Sequence, residues 1–86
     1  MHAMNNIEQT VKTFILDSFL PGADPNQLAE DTPLITGGIL DSLATVQLAV
    51  FLEQHFKIEI AAHETGTENL DSLALIGGFV RSKLAA

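Results

Sequence analysis

The sequence predicts an all-α fold: a small four-helix bundle with three longer helices, one short helix and a long loop between helices one and two. Three observations support this prediction. Apolar residues recur at helical spacing in three segments. Glycine and proline gather between the first two of these segments. A chain of 86 residues has room for one small hydrophobic core.

The first helix is predicted over residues 5–19. Asn5 can cap it together with Glu8, three residues further on. Its apolar positions are Ile7, Val11, Phe14, Ile15 and Phe19. The segment 20–22, which reads Leu-Pro-Gly, is expected to end the helix.

Residues 21–40 are predicted to form a long loop, within which Pro25 opens one turn that runs through Ala29. The residues that break regular structure are Pro21, Gly22, Pro25, Pro33, Gly37 and Gly38. Loops of this length are uncommon in compact domains and usually have a function. This loop leads directly to Asp41 and Ser42.

The second helix is predicted to run from an Asp41 cap to about Phe56, a length of roughly 20 Å. It carries two apolar stripes. The first stripe is Thr45, Leu48, Ala49, Leu52 and Phe56, and the second is Leu43, Val46 and Val50. The first is wide enough to face the core, so the second is either buried by the loop or exposed as a docking face.

The remaining residues are predicted to form a short extended segment at 58–60, one or two helical turns at 61–65 that stop at Gly66, and a last helix. The last helix is expected to start near Asp71 and to bury Leu73, Ile76, Phe79, Val80 and Leu84. Gly77 and Gly78 lie inside it, which indicates close packing there.

Composition limits the class of protein. The chain is 47% hydrophobic and 17% charged, which favours one soluble, folded domain over residues 1–86. It has no cysteine, so disulfides and thiolate metal sites are excluded. Met4 suggests that residues 1–3 are vector-derived, and the N-terminus lacks the pattern of a signal peptide. We therefore expect a cytoplasmic location.

The net charge of −7 argues against nucleic acid or an anionic membrane as a partner. No Lys or Arg lies between Lys12 and Lys57, whereas six acidic residues do. A basic protein surface would complement this segment, although acidic surfaces also serve solubility alone. We expect no membrane insertion, and a monomer.

Ser42 is placed at the first position of the second helix, where its hydroxyl would face solvent and a phosphodiester would be tolerated. A catalytic serine needs an adjacent base, and none of His2, His55 and His63 lies near Ser42 in sequence. The histidines also lack metal-ligand spacing, and the Gly-Gly pairs lack the context of a phosphate-binding loop. No catalytic or metal-binding residue is predicted.

Residues 38–43 (GILDSL), followed by 45–48 (TVQL) and 51–53 (FLE), resemble the modification segment of acyl carrier proteins. Other parts of the chain are similar to the family's first loop, to its exit from helix two and to its approach to the last helix. These parts are residues 20–24, 31–34, 58–60 and 68–73. The resemblance covers nearly the whole chain.

The resemblance implies that a phosphopantetheinyl transferase attaches 4′-phosphopantetheine from coenzyme A, with Mg²⁺, to Ser42. Asp41 and Leu43, on either side of Ser42, are the other residues expected to bind this group. The thiol of this arm would hold an acyl group as a thioester for fatty acid or polyketide biosynthesis. An acyl- or aminoacyl-loading ligase or synthase would be a further partner, and the carrier itself would not be catalytic. The implied docking positions on helix two are Leu43, Val46, Gln47 and Val50.

The triplet Asp41-Ser42-Leu43 recurs as residues 71–73. The second copy lacks the Gly-Gly-Ile-Leu segment that precedes the first, and residues before it resemble the family's run into its last helix. Ser72 is therefore interpreted as a first-turn capping residue. Ser42 is the predicted attachment site.

The chain departs from fatty acid carriers in having few acidic residues on helix two. Ala44, Gln47, Gln54 and His55 stand where acids are frequent, and Ala61 replaces a frequent proline. Docking by charge should be weaker, and the run 45–48 is similar to that of D-alanyl carrier proteins. An aminoacyl carrier and an unmodified helical adaptor are the alternative functions.

Overall fold

The computed structural model describes residues 6–85, apart from the side chain of Pro25. Within that range the regular structure is helical, which confirms the predicted fold class. In chain order the elements are α1 (Asn6–Phe19), a 3-10 turn (Pro25–Gln27), α2 (Ser42–Phe56), a 3-10 turn (Ala62–Glu64), α3 (Thr67–Leu70) and α4 (Leu73–Ala85). The Asn5 cap and the expectation for residues 1–3 lie outside the described residues.

One hydrophobic core joins the helices. The first stripe of α2 faces it, with Leu48 and Leu52 fully buried. The other fully buried aliphatic side chains of the helices are Val11, Ile15, Leu70, Leu73, Ile76 and Val80. Phe56, predicted to belong to this stripe, is half-buried and packs on the edge of the core. No helix in residues 6–85 combines the length and the apolar character that crossing a bilayer requires.

The start of α1 lies beside the end of α4. Glu8 is buried, and its two carboxylate oxygens accept hydrogen bonds from Arg81, with Nη2 at 2.7 Å from Oε2 and Nη1 at 3.3 Å from Oε1. Gly77 permits this arrangement because a Cβ there would collide with the Glu8 carboxylate. The predicted close packing is thus confirmed at Gly77. It is wrong at Gly78, which is exposed with open space around it.

Leu84 was predicted to be buried, but 51% of it is exposed. The buried stripe of α4 ends at Val80, one residue before Arg81 reaches Glu8. Leu84 lies one helical turn beyond Val80, the last buried residue of α4, so helical spacing alone did not predict its exposure.

The long loop between α1 and α2 contributes to the core. Leu28, Leu34 and Leu40 are at most 2% exposed. The predicted turn at Pro25 forms but is shorter than expected, ending at Gln27. The loop is therefore an ordered part of the bundle.

The segment before α4 differs from the prediction in one detail. Gly66 ends the 3-10 turn region as expected, but it also caps a further short helix, α3. The last helix then begins at Leu73, because Asp71 and Ser72 form the break between α3 and α4. The sequence therefore predicted the start of the last helix two residues too early, near Asp71, and it did not predict α3.

Two contacts fix the end of α2 and the segment that follows it. Lys57 adopts the left-handed conformation (φ 60°) that terminates helices, and its N–H bonds to the Glu53 carbonyl. The Glu53 carboxylate accepts a hydrogen bond from the Ile60 N–H at 2.9 Å. The predicted extended segment 58–60 is thereby held against α2.

The glycine pair in α4 offers a matched test of packing. We expect Gly77→Ala to lower the free energy of unfolding by about 1–3 kcal/mol, because the new methyl displaces Glu8 from Arg81. Gly78→Ala should raise it by about 0.5–1 kcal/mol through helix propensity alone. Urea titrations of both variants measure the difference. Equal effects of the two substitutions would contradict the proposed collision.

Candidate functional site

Ser42 is the first residue of α2 and is exposed to solvent. Asp41 caps the helix, as predicted, in an extended conformation (φ −86°, ψ −173°), and its Oδ1 accepts a hydrogen bond from the Ala44 N–H at 2.8 Å. The Thr45 hydroxyl donates to the Asp41 carbonyl at 2.8 Å. The backbone on either side of Ser42 is thus fixed, while its hydroxyl stays accessible.

The glycines before Ser42 shape the approach to the helix. Gly38 has a φ of 85°, a conformation that side chains rarely adopt. Gly37 lies so close to the Pro33 carbonyl that a Cβ there would collide with it. The Leu40 N–H then bonds to the Leu34 carbonyl at 2.8 Å. The Gly-Gly-Ile-Leu motif therefore makes a tight turn that delivers Ser42 to the surface.

Asp71, in the break between α3 and α4, holds the residues just before this turn. Its Oδ1 accepts hydrogen bonds from the N–H groups of Ile35 and Thr36 at 2.8 and 2.9 Å. Its Oδ2 accepts the Thr36 hydroxyl at 2.9 Å, and its carbonyl accepts the Leu34 N–H at 2.7 Å. The bond from the Thr36 N–H, supported by those from the Thr36 hydroxyl and Ile35, lowers the pKa of the Asp71 carboxyl. Sequence reasoning missed this contact, because Asp71 was read only as part of the last helix.

Two open clefts flank the N-terminus of α2. The first, of about 480 Å³, includes Ser42 itself and lies between α2 and the segment before α3. The second, of about 320 Å³, lies between α2 and the end of α1. The residues of the first are Ile35, Leu40, Asp41, Ser42, Thr45, Val46, Thr65, Gly66 and Thr67, and those of the second are Ser18, Phe19, Ile39, Asp41, Leu43, Ala44 and Gln47.

The residues that line the two clefts include few groups that could act as a base for the Ser42 hydroxyl. Asp41 is the one ionisable side chain among the residues that line them, and its Oδ1 is already bonded to the Ala44 N–H. His55 lies near the far end of α2, roughly 20 Å away along the helix. No three His, Asp or Glu side chains within residues 6–85 are arranged to hold a metal ion.

Ser72 has the opposite environment. It is 9% exposed, and its Oγ accepts a hydrogen bond from the Leu75 N–H at 3.1 Å, so it caps α4. The prediction that Ser72 is a capping residue is confirmed. The two Asp-Ser-Leu copies thus differ in structure: one presents its serine, and the other uses its serine inside the fold.

The second stripe of α2 is exposed, so the loop does not bury it. Leu43 is 66%, Val46 56% and Val50 44% exposed, and Gln47 between them is also exposed. Below the stripe, the Phe14 ring of α1 stacks on the Phe51 ring at 4.1 Å between centroids. The stripe is therefore an apolar surface that begins one residue after Ser42 and runs down α2.

Known proteins resemble this chain in sequence and structure. An acyl carrier protein of Akkermansia muciniphila is 32% identical over 76 residues, which cover 88% of this chain and 90% of that protein. A D-alanyl carrier protein of Streptococcus suis is 32% identical over 76 residues (87% and 92% covered), and one of Streptococcus uberis is 38% identical over 66 residues (74% and 82%). The chain belongs to the acyl carrier protein family. No model of a known family matches the chain.

The fold of this carrier protein is also found in a solved structure. A chain described as the crystal structure of an FAD-dependent dehydrogenase matches with a TM-score of 0.72 and 33% identity. The match covers 81% of the carrier and 97% of that chain. The likeness therefore extends over nearly all of the matched chain.

The lowered pKa of Asp71 predicts how acid affects the carrier. Because folding lowers this pKa, Asp71 contributes stability above its ordinary value of 3.8, and this contribution is lost as the pH falls through the folded value. Asp71→Asn removes the titration. The wild type should therefore have the higher urea midpoint at pH 7, and its advantage should shrink at about pH 3.

Asp31→Asn, at an exposed position of the loop between α1 and α2, is the control and should leave the urea midpoint at pH 7 close to that of the wild type. If the urea midpoints of the wild type and Asp71→Asn differ by the same amount at both pH values, the charge of the Asp71 carboxylate does not account for the difference.

Proposed function

We propose that this carrier protein holds an acyl group as a thioester on a 4′-phosphopantetheine arm attached to Ser42, and that it delivers the group between enzymes of a biosynthetic pathway. The observation that carries the proposal is the exposed Ser42 hydroxyl on a rigid helix start, between two clefts free of basic side chains. The family membership of the chain supports it. A cytoplasmic location and a monomeric state are part of the proposal.

Attachment requires the Ser42 oxygen to attack the β-phosphate of coenzyme A. The new P–O bond forms as the pyrophosphate linkage breaks, adenosine 3′,5′-bisphosphate leaves, and the serine proton passes to a base. Since Asp41 is the one ionisable side chain beside Ser42, a phosphopantetheinyl transferase supplies the base and the Mg²⁺. The attached arm supplies a thiol that forms thioesters.

The residues around Ser42 fit such an arm. The N-terminus of α2 is positively polarised and tolerates a phosphodiester, while the Asp41 carboxylate is turned toward the Ala44 N–H. Asp41 and Leu43 lie on either side of the attachment point, and both line the cleft that faces the end of α1. The role of this chain is to present the serine and to keep the helix start rigid. It performs no catalytic step in this proposal.

We propose that partner enzymes dock on the exposed stripe of α2, at Leu43, Val46, Gln47 and Val50. The partners are the transferase and an acyl- or aminoacyl-loading ligase or synthase. An FAD-dependent dehydrogenase is a further candidate partner, because the solved structure with that description contains a chain about as long as this carrier, 97% of which matches it. Because Gln47 and Gln54 are uncharged, docking on this helix depends more on apolar contact than on charge.

Two alternatives remain distinct from the main proposal. An aminoacyl carrier is supported by the D-alanyl carrier relatives and shares the whole chemistry except the cargo. An unmodified helical adaptor would use the same stripe but would carry no arm. Modification of Ser42 separates the adaptor from both carriers.

Incubation with coenzyme A, Mg²⁺ and a broad-specificity transferase is expected to add one phosphopantetheine, measured by intact mass. Ser42→Ala should abolish the addition. Ser72→Ala should be modified normally, although loss of the cap costs about 1 kcal/mol of stability. Ser18→Ala, at an exposed serine in the cleft beside α2, is the second control. An unmodified wild type would favour the adaptor.

Val46→Asp is expected to leave the helical fold intact and to lower kcat/KM for modification about tenfold, since a charge in the centre of an apolar interface costs roughly 1–2 kcal/mol. Leu75→Asp is the matched control, because Leu75 is similarly exposed (43%) on α4. Circular dichroism checks the fold of both variants. Equal losses of kcat/KM at Val46 and Leu75 would show that α2 is not the docking face.

A further inference from the structure

A third cleft lies under the long loop, at the end of α1. It has a volume of about 210 Å³ and is more enclosed than the two clefts beside Ser42. Its floor is Leu28, which belongs to the core, and its walls are Leu16, Leu20 and Ile39, which are half-buried. The partial exposure of these aliphatic side chains is a consequence of the cleft.

The rim of this cleft is polar on one side. Asp24 and Gln27 line it there, and both are exposed. The Asp24 Oδ1 accepts a hydrogen bond from the Asn26 N–H at 2.9 Å, which fixes the carboxylate at the rim. No Lys or Arg lies between Lys12 and Lys57, so the chain supplies no cation of its own from this loop.

The cleft is within reach of Ser42. Ile39 lines both this cleft and the cleft between α2 and α1, whose wall includes Asp41 and Leu43. Ile39 is three residues before Ser42, so at most about 10 Å of extended chain separates them. The two clefts therefore share Ile39 as a wall, close in the chain to the attachment point.

Size and polarity indicate the ligand. An apolar cavity of about 150 Å³ is enough to bind benzene, so this cleft can take a branched aliphatic group of a few carbons. A carboxylate at the rim of an apolar cleft complements a ligand that is aliphatic at one end and carries an ammonium beside it. An α-aminoacyl group has this structure, whereas a simple fatty acyl group lacks the ammonium.

We infer that the cleft formed by Leu16, Leu20, Leu28 and Ile39 holds the cargo of the carrier, and that this cargo is a short aliphatic aminoacyl group whose ammonium pairs with Asp24. The inference rests on the proposed attachment of the arm to Ser42 and names the class of cargo. It favours the aminoacyl form of the carrier over a carrier of simple fatty acyl chains.

The test compares two thioesters on the same holo-protein, a valyl group and an isovaleryl group, which differ by the amine. Intact mass first establishes that the arm and the cargo are attached; failure there contradicts the proposed function and not the cleft. Methyl NMR then compares loaded and unloaded protein. Valyl loading should shift the methyl signals of Leu16, Leu20, Leu28 and Ile39, and leave the exposed Leu75 and Leu84 unchanged.

Asp24→Asn keeps an oxygen for the Asn26 N–H but removes the charge. It should lower the population of docked valyl group roughly two- to fivefold, as for loss of an exposed ion pair, without changing the isovaleryl shifts. Asp31→Asn, at an exposed acid of the same loop, is the control. Equal effects of Asp24→Asn on both cargoes, or no effect on either, would overturn the pairing with Asp24.

Ala23→Phe tests the cleft independently of charge, because Ala23 lines it and a phenyl ring there would occupy the space. This variant should abolish the shifts from both cargoes, whereas Ala29→Phe, at an exposed position of the loop, should not. Shifts confined to Ile35 and Leu40, in the cleft on the other side of Ser42, would place the cargo there and overturn the inference.

Discussion

The hydrogen bonds that Asp71 accepts from Ile35 and Thr36 determine how Ser42 is presented. The loop before Ser42 has little regular structure, and ordering such a segment costs about 1–2 kcal/mol of backbone entropy per residue. Buried loop leucines offset part of this cost, and Asp71 adds a directional anchor that connects the loop to the start of α4. The position of Ser42 therefore depends on the Asp71 carboxylate, which is far away in sequence. The turn at Gly38 connects the residues that Asp71 holds to the start of α2.

The exposed face of α2 follows from the same packing. The loop and the other helices bury one side of α2 completely at Leu48 and Leu52, and they leave Leu43, Val46 and Val50 uncovered. Exposed aliphatic residues occur singly on most proteins, but three on one helix face beside an exposed serine make a continuous surface. The buried side of α2 holds the helix in place, so the exposed side can be apolar without being needed for folding.

Local signals made most of the fold predictable. The Asp41 cap, the glycine and proline breakers and the apolar spacing of α1 and α2 each act within a few residues, and the structure has each of them. The contacts that could not be predicted join distant residues: Asp71 to Thr36 and Glu8 to Arg81. Leu28, Leu34 and Leu40 were missed as core residues for a related reason, since a loop has no period from which a buried face can be read. At the site, the sequence predicted that Ser42 faces solvent at the start of α2, and it does, but the structure was needed to show that Ser72 is buried.

Leu43 connects the two surfaces that the proposals use. It is the most exposed residue of the α2 stripe, and it also lines the cleft between α2 and α1 that leads toward Ile39. An enzyme that docks on the stripe would therefore cover one wall of the cleft between α2 and α1. If cargo rests in the cleft under the loop, docking of a partner and release of the cargo would both involve Leu43. A partner would then reach the thioester by displacing the arm from Leu43. A carrier with few charges on α2 could couple the two events through apolar contact, because in this proposal Leu43 would pack either against the arm or against the partner.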